Sequence, residues 1–153
     1  TFTLRLAYGT VRGCDGGSQA AAVPFTTFGG LFARAATTGE APPFDLPPRW
    51  RAFRDSPAAD EAFRQTHFNF ISTADIIGGN SGSPVVNRSG ELVGVIFDGN
   101  IDSLVLDIAY DDLRARAVAV DATAIAAALE HVYQAAGLVR ELVARDGHKA
   151  LHR

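Results

Sequence analysis

Hydrophobic and polar residues alternate in several short segments, and this alternation predicts β-strands. Over residues 1–8 every second position is apolar or aromatic, which predicts a half-buried strand. The same pattern over residues 67–72 predicts another strand. Two apolar segments, 84–87 and 91–98, are separated by a short turn that ends in glycine, which predicts a hairpin. Residues 117–120 are the last strand candidate.

Helical spacing is clearest near the end of the chain. Apolar residues recur at this spacing over residues 123–135, with Asp121 as the expected N-cap, and a helix over 138–144 continues or restarts after Gly137. Shorter helices are predicted over residues 31–36, 50–53 and 58–64, with Ser56-Pro57 as the start signal of the last. The pattern indicates a β-rich chain with long loops and a carboxy-terminal helix.

Composition narrows the classes of protein. The chain has 153 residues, enough for one domain, and 47% of them are hydrophobic, so an apolar core is expected. A net charge of -3 argues against broad electrostatic binding of nucleic acid. No apolar run approaches the ~20 residues that span a bilayer, so no membrane partner is expected. The sequence begins at Thr1 and contains no Met, which leads us to expect a processed product or a piece of a longer polypeptide.

No metal or cofactor is expected either. The single cysteine, Cys14, excludes an internal disulfide and a multi-cysteine metal site. The spacing of the histidines places no three metal ligands together.

The sequence Gly78-Gly79-Asn80-Ser81-Gly82-Ser83-Pro84 is the candidate for chemistry. Glycines flank Ser81, so its hydroxyl can stand exposed on a tight turn that a substrate carbonyl can approach. If the amides of Gly79 and Ser81 point at one spot, they form an oxyanion hole, where each donor stabilises a tetrahedral intermediate by ~3–4 kcal/mol. Ser81 would then be a nucleophile that needs a base beside it. A Gly-rich turn without catalytic role is the alternative, and the motif alone favours neither.

The residues around this motif carry a family resemblance. Gly-Asn-Ser-Gly-Ser-Pro resembles the Gly-Asp-Ser-Gly-Gly-Pro of chymotrypsin-fold serine peptidases, and an apolar strand, a turn and a second apolar strand follow it. With Thr73-Ala74-Asp75-Ile76-Ile77 before the motif and Phe97-Asp98-Gly99-Asn100 after it, the chain is similar to the bacterial dipeptidyl-peptidase 7 and 11 family. Leu46-Pro47-Pro48-Arg49-Trp50 and Asp107-Ile108-Ala109-Tyr110-Asp111 extend the likeness over nearly the whole chain.

The resemblance implies a mainly β fold, namely the second β-barrel of a chymotrypsin-like double barrel with a carboxy-terminal α-helix. The barrel would occupy residues 1–120, with a loop and short helices at 29–66. The helix would occupy residues 121–145, followed by a frayed tail at 146–153.

The resemblance also implies residue roles. Ser81 would be the nucleophile, and Gly79 would form the oxyanion hole with it. Asp98 would bind the free α-amine of an oligopeptide, so that dipeptides are released. Gly99 would lie at the first-subsite pocket, where members that cut after Asp or Glu carry Arg. The uncharged pocket would then favour an apolar or aromatic penultimate residue.

The missing parts follow from the same resemblance. His67 is interpreted as a sheet residue and His131 as a helix residue, while His148 and His152 fall in the frayed tail. None is a good general base, so the triad His and Asp are expected in an amino-terminal barrel upstream of Thr1, and this chain alone is expected to be inactive. Family resemblance places such parents in the periplasm or at the cell surface, and a homodimer is possible.

Two alternatives stay open. Asp75 lies six positions before Ser81, where trypsin-like enzymes carry an acid that selects basic residues, so an endopeptidase is possible. The chain could also be a non-catalytic barrel whose Gly-rich loop binds peptide.

Overall fold

A computed structural model describes residues 5–15 and 21–144 of the chain. The strands are β1 (Phe25–Thr27), β2 (His67–Ser72), β3 (Pro84–Val86), β4 (Leu92–Gly99) and β5 (Ala117–Asp121). The α-helices are α1 (Phe28–Thr37), α2 (Pro48–Arg54), α3 (Glu61–Gln65), α4 (Ala122–Ala127) and α5 (Ala136–Val143). A 3₁₀ helix spans Ile101–Asp107, and a π-helical turn spans Ala128–Val132. In this described part the α-helices contain more residues than the strands. The expected mainly β fold is therefore observed as one antiparallel sheet accompanied by helices.

The five strands form one antiparallel sheet in the order β1-β2-β5-β4-β3. The predicted strands at 67–72 and 117–120 are confirmed, and they pair with each other from Asn69 opposite Val120 to Ser72 opposite Ala117. The predicted hairpin is also confirmed as β3 and β4. The motif of residues 78–84 therefore lies immediately before an edge hairpin of the sheet.

A β-bulge interrupts the pairing of β4 with β5. Ile96 lies opposite Ala119, but Asp98 lies opposite Val118, so Phe97 is the extra residue. Side chains alternate between the two faces of a strand, and one inserted residue reverses the faces of all that follow. Asp98 consequently shares the face of Val118 instead of the face of buried Ile96.

Side-chain caps fix where the helices begin. The side chain of Asp121 accepts a hydrogen bond from Thr123 N at 2.8 Å at the start of α4, as predicted. Asp60 caps α3 through Phe63 N at 2.9 Å, so the predicted start at Ser56-Pro57 is wrong. The side-chain oxygen of Asp60, which satisfies a first-turn N–H, outweighs the proline signal three residues earlier.

Apolar side chains collect in two groups. The helical cluster contains four phenylalanines and consists of Phe28, Phe32, Ala35, Leu46, Phe53, Ala59, Phe63, Ala124 and Val132. The sheet cluster holds smaller residues and consists of Phe70, Ile76, Ile96, Leu106, Ala115, Ala117 and Ala119. The sheet cluster lies beside the candidate motif.

Two predicted elements differ. Residues 5–10 form no strand, and Leu6 and Tyr8 are each 87% exposed. Backbone pairing of this region with the end of β2 begins only after these residues. Thr73 N donates to Thr10 O at 3.0 Å, and an isolated bridge joins Val11 to Ser72. The helix predicted over 123–135 is shorter, because its last turn is π-helical. Residues 1–4, the tail at 146–153, His148 and His152 lie outside the described residues.

Candidate active site

The loop of residues 78–83 is a tight turn held by its own backbone and one side chain. Gly79 and Gly82 have φ of 92° and 88°, a region that glycine adopts without strain. Asn80 Oδ1 accepts a hydrogen bond from Ile77 N at 2.9 Å, and Asn80 N donates to Ile77 O at 3.2 Å. The sequence did not reveal this positioning role of Asn80.

The loop is fastened to β4 on its other side. Gly82 N donates to Ile96 O at 2.8 Å, and Ile96 N donates to Ser83 O at 3.0 Å. These two bonds fix the turn relative to the strand that carries Asp98. The position of the loop is therefore set by sheet pairing rather than by contacts of the Ser81 side chain.

Ser81 lies exposed at the tip of this turn. Its hydroxyl donates to Phe97 O, on the bulge of β4, at 3.2 Å. The backbone N–H groups of Gly79 and Ser81 have no hydrogen-bond acceptor within the described residues. An exposed hydroxyl with two unengaged amides nearby is compatible with a nucleophile that receives a carbonyl group from solvent.

Asp98 and Gly99 come directly after the bulge residue Phe97, to which Ser81 is hydrogen-bonded. Asp98 follows the residue whose carbonyl accepts the Ser81 hydroxyl, and Asp98 Oδ1 accepts a hydrogen bond from Gly99 N at 2.8 Å. Three of the four sequence-predicted positions, Ser81, Asp98 and Gly99, are thus gathered at one end of β4.

A cavity of about 540 Å³ opens at this end of the sheet. Asp98, Gly99 and Ser103 line it, together with Ile101, Leu104 and Arg116. Ser81 is not among its lining residues. The cavity therefore lies beyond Asp98, on the face of the sheet that Asp98 shares with Val118 because of the bulge.

Arg116 forms part of the cavity wall and was not singled out by the sequence. Its side chain is 1% exposed. Its guanidinium donates only to backbone carbonyls, at Arg12 and Gly13 on one segment and at Asp112, Leu113 and Ala115 on the other. It joins two segments that are far apart in sequence. An arginine between alanines gives no signal for such a role.

The other candidate residues make contacts with groups other than Ser81. His67 stacks on Phe25 with ring centroids 4.1 Å apart, and His131 packs edge-on against Phe63 at 5.8 Å. That neither histidine is the general base stays a prediction. Asp75 pairs with Arg5 at 3.7 Å and does not line the cavity, so the structure does not favour the trypsin-like alternative.

Residues 5–15 and 21–144 contain no group of three or more side chains suited to hold a metal ion. Within the same ranges no helix has the length and apolar character needed to cross a membrane.

Comparison with known proteins relates the chain to a family. The sequence model of the family described as Peptidase S46 matches residues 1–144. The chain is similar to dipeptidyl-peptidase 7 of Phocaeicola vulgatus, with 37% identity over 126 residues that cover 78% of this chain and 17% of the relative. It is also similar to the Asp/Glu-specific dipeptidyl-peptidase of Shewanella putrefaciens, with 33% identity over 165 residues that cover 92% of this chain and 22% of the relative.

A solved structure shows that the fold is shared. The crystal structure of Porphyromonas endodontalis DPP11 in complex with the dipeptide Arg-Asp superposes with a TM-score of 0.75 at 24% identity, covering 90% of this chain and 20% of that chain. The chain spans about a fifth of the length of the relatives it matches.

Proposed function

The chain belongs to the peptidase S46 family, and from this premise we propose that it is the nucleophile-bearing part of a serine dipeptidyl-peptidase. The proposed enzyme releases dipeptides from the free amino terminus of oligopeptides. The observation that carries the proposal is the hydrogen bond from Ser81 Oγ to Phe97 O, because it seats the hydroxyl one residue from the Asp98 carboxylate.

The position of Asp98, one residue after the carbonyl that accepts the Ser81 hydroxyl, supports the proposed release of two residues. Asp98 follows Phe97 directly, so its carboxylate can reach the neighbourhood of Ser81 Oγ within roughly two residue lengths, about 7 Å. An α-amine bound by Asp98 would place the second peptide bond of an extended substrate at a similar reach. A charge-assisted bond from the ammonium to the carboxylate would fix the substrate register.

Ser81 would attack the carbonyl carbon of that second bond. The attack needs the hydroxyl to turn from Phe97 O toward a general base, which takes its proton. The amides of Gly79 and Ser81 would then donate to the oxyanion, and the amine of the shortened peptide would leave with the proton that the base returns, so that the dipeptide stays esterified to Ser81. Water, deprotonated by the same base, would then hydrolyse this ester, release the dipeptide and return the proton to Ser81 Oγ. We propose that the base and its acid are supplied by an amino-terminal barrel of the same longer polypeptide.

Gly99 carries no charge into the cavity, and its neighbours Ile101 and Leu104 are apolar. We therefore propose an apolar or aromatic residue at the penultimate position of the substrate. By family resemblance the parent would work in the periplasm or at the cell surface, without metal or cofactor. A homodimer stays a prediction that the mass of the purified protein in solution would test.

The nucleophile is tested by Ser81→Ala in the longer polypeptide, with fluorogenic dipeptidyl substrates. We expect activity to be lost with unfolding unchanged, because the hydroxyl makes one hydrogen bond on an exposed turn. Ser89→Ala in the exposed β3–β4 turn is the matched control and should keep full activity. Turnover that persists in Ser81→Ala would falsify the assignment.

The amine site is tested by Asp98→Asn, which keeps the shape of the side chain and removes its charge. KM should rise for substrates with a free amino terminus, by at least about tenfold if one charge-assisted hydrogen bond of ~1.5–3 kcal/mol is lost. Amino-terminally blocked substrates should be poor for the wild type. If blocked and free peptides are cut equally well, the exopeptidase proposal fails. The isolated chain of residues 1–153 should show no activity in the same assay.

A further inference from the structure

Gly99 lacks a side chain in a place where its backbone would allow one. Its φ lies outside the left-handed region that favours glycine, unlike that of Gly79 or Gly82. The limit is space, because a Cβ built on Gly99 would lie against Ser103 Oγ, 2.9 Å from Ser103 Cβ and 3.2 Å from Ile76 Cγ2. Carbon atoms pack at about 3.5–4.0 Å, so one of the neighbours would have to move.

Ser103 cannot move without disturbing its surroundings. It lies in the 3₁₀ helix, and both its hydroxyl and its backbone N–H donate to Asn100 O, at 2.6 Å and 2.9 Å. Asn100 is in turn fixed to the start of β5, because its N donates to Arg116 O at 2.9 Å and its Oδ1 accepts from Arg116 N at 2.8 Å. The position of Ser103 is therefore set by the sheet.

We propose that Ser103 is a specificity-determining residue, because it occupies the space that any side chain at position 99 would need. The proposal rests on the proposed function, in which Gly99 borders the pocket for the penultimate residue. Ser103 and Gly99 then act as a pair. A charged side chain at position 99 enters the cavity without distorting β4 only when position 103 gives up its own side chain.

The test is a series in the longer polypeptide at positions 99 and 103, assayed with a substrate that has Leu at the penultimate position. Gly99→Ala should lower kcat/KM at least about tenfold, because a displacement near 1 Å at a site can cost up to 10²-fold. Gly99→Ala with Ser103→Gly should restore it to within about threefold of Ser103→Gly alone. Gly137→Ala, where nothing lies within 4 Å of the added Cβ, is the matched glycine control and should be neutral.

Ser103→Ala separates space from hydrogen bonding. Alanine and glycine at position 103 both lack the hydroxyl that donates to Asn100 O. Alanine keeps the Cβ that a side chain at position 99 would meet at 2.9 Å. Rescue of Gly99→Ala should therefore be stronger with Ser103→Gly than with Ser103→Ala. Equal rescue by both, no rescue by either, or wild-type kcat/KM in Gly99→Ala would overturn the proposal.

The charged version extends the test to substrate class. Gly99→Arg combined with Ser103→Gly should gain activity on a penultimate Asp relative to Leu, and Gly99→Arg alone should gain less. Melting temperatures of the alanine series provide a second readout that needs no turnover. Ser103→Gly should recover most of the melting temperature lost in Gly99→Ala. If the wild type cleaves no dipeptidyl substrate, the proposed function fails, while this thermal coupling still decides whether Ser103 excludes a side chain at 99.

Discussion

The helical cluster and the sheet cluster bury apolar surface in different ways. The helical cluster uses stacked rings, with Phe28 and Phe63 centroids 4.5 Å apart and Phe53 edge-on to Phe63 at 4.7 Å. The sheet cluster relies on alanines at positions 115, 117 and 119, and Ile108 and Leu113 nearby in the chain are 90% and 70% exposed. The rings of the helical cluster are buried against one another, whereas large apolar side chains close in sequence to the alanines of the sheet cluster are left exposed.

The sheet side compensates with polar bonds. Arg116 holds the segment at residues 12–13 and the turn at residues 112–115 through its carbonyl contacts. A charged group in the interior is tolerated when each of its donors finds an acceptor. The difference teaches that the two regions have separate tasks. Aromatic packing stabilises the helical side, and hydrogen bonds shape the cavity on the sheet side.

The largest effect is expected in the helical cluster. Phe63→Ala should reduce the free energy of unfolding by about 3–5 kcal/mol, because it removes a ring packed against Phe28 and Phe53 and leaves a cavity. Urea unfolding measures the loss. Phe44→Ala, at a ring that is 39% exposed, is the control and should cost much less. Similar losses for the two variants would show that the helical cluster is not the stabilising half.

Arg116→Lys tests the polar support of the sheet side. We expect a loss of about 2–3 kcal/mol, since an ammonium group has three donors at one atom and cannot reach both chain segments. Unfolding in urea and protection of residues 112–115 from hydrogen exchange would both report it. Arg114→Lys is the matched variant, because Arg114 is exposed and makes one ion pair at 3.7 Å, so its loss should stay below about 0.5 kcal/mol. A stable Arg116→Lys variant would contradict the comparison.

Asp121→Ala tests the junction between the two regions, because Asp121 ends β5 and caps α4. The side chain accepts from Thr123 N at 2.8 Å and from Thr123 Oγ1 at 2.6 Å. Its loss should cost about 1 kcal/mol and weaken hydrogen-exchange protection in both β5 and α4. Asp60→Ala removes a similar cap from α3 and should weaken protection there alone. If Asp121→Ala, like Asp60→Ala, lowers hydrogen-exchange protection in one element only, the two regions are not coupled through Asp121.

The smallest effect is expected from pH. Hydrogen bonds from Leu113 N at 2.8 Å and Arg114 N hold the pKa of the Asp111 carboxyl below its ordinary value. Because the pKa is lower in the folded state, the ionised carboxylate stabilises the turn at pH values above the unfolded pKa of ~3.9. This stabilisation is lost as the pH falls through the folded pKa. Stability between pH 5 and pH 2 should therefore fall less steeply in Asp111→Asn than in the wild type. Parallel pH profiles for the two proteins would argue against this contribution.

Local sequence rules predicted the regular parts of the fold. Strand β2 has its predicted bounds, and the cap of Asp121 lies where predicted. These features depend on neighbouring residues alone: the period of alternation and a carboxylate before a helical run. The candidate motif was likewise readable, because glycines that allow a tight turn stand beside Ser81 in the sequence.

The features that the sequence did not predict depend on residues that are far apart along the chain. The bulge at Phe97 adds one residue to the pairing of β4, but β4 has the same apolar character with or without it, so the face of Asp98 could not be read from the pattern. Residues 5–8 alternate as a strand does and still lack a partner strand, since pairing is decided by the sheet edge rather than by the pattern. The role of Arg116 depends on carbonyls near the other end of the chain.

The contacts of Arg116 also bear on the order of folding. Its guanidinium bonds to Arg12 and Gly13 across 104 and 103 positions of sequence. Bringing such distant residues together costs loop-closure entropy, and contacts of long sequence separation slow folding. Phe28 and Phe63 meet over a much shorter separation, so we expect the phenylalanine core to form in the rate-limiting step and the cavity wall to close afterwards. Substitutions of Arg116 should then accelerate unfolding and leave the folding rate almost unchanged.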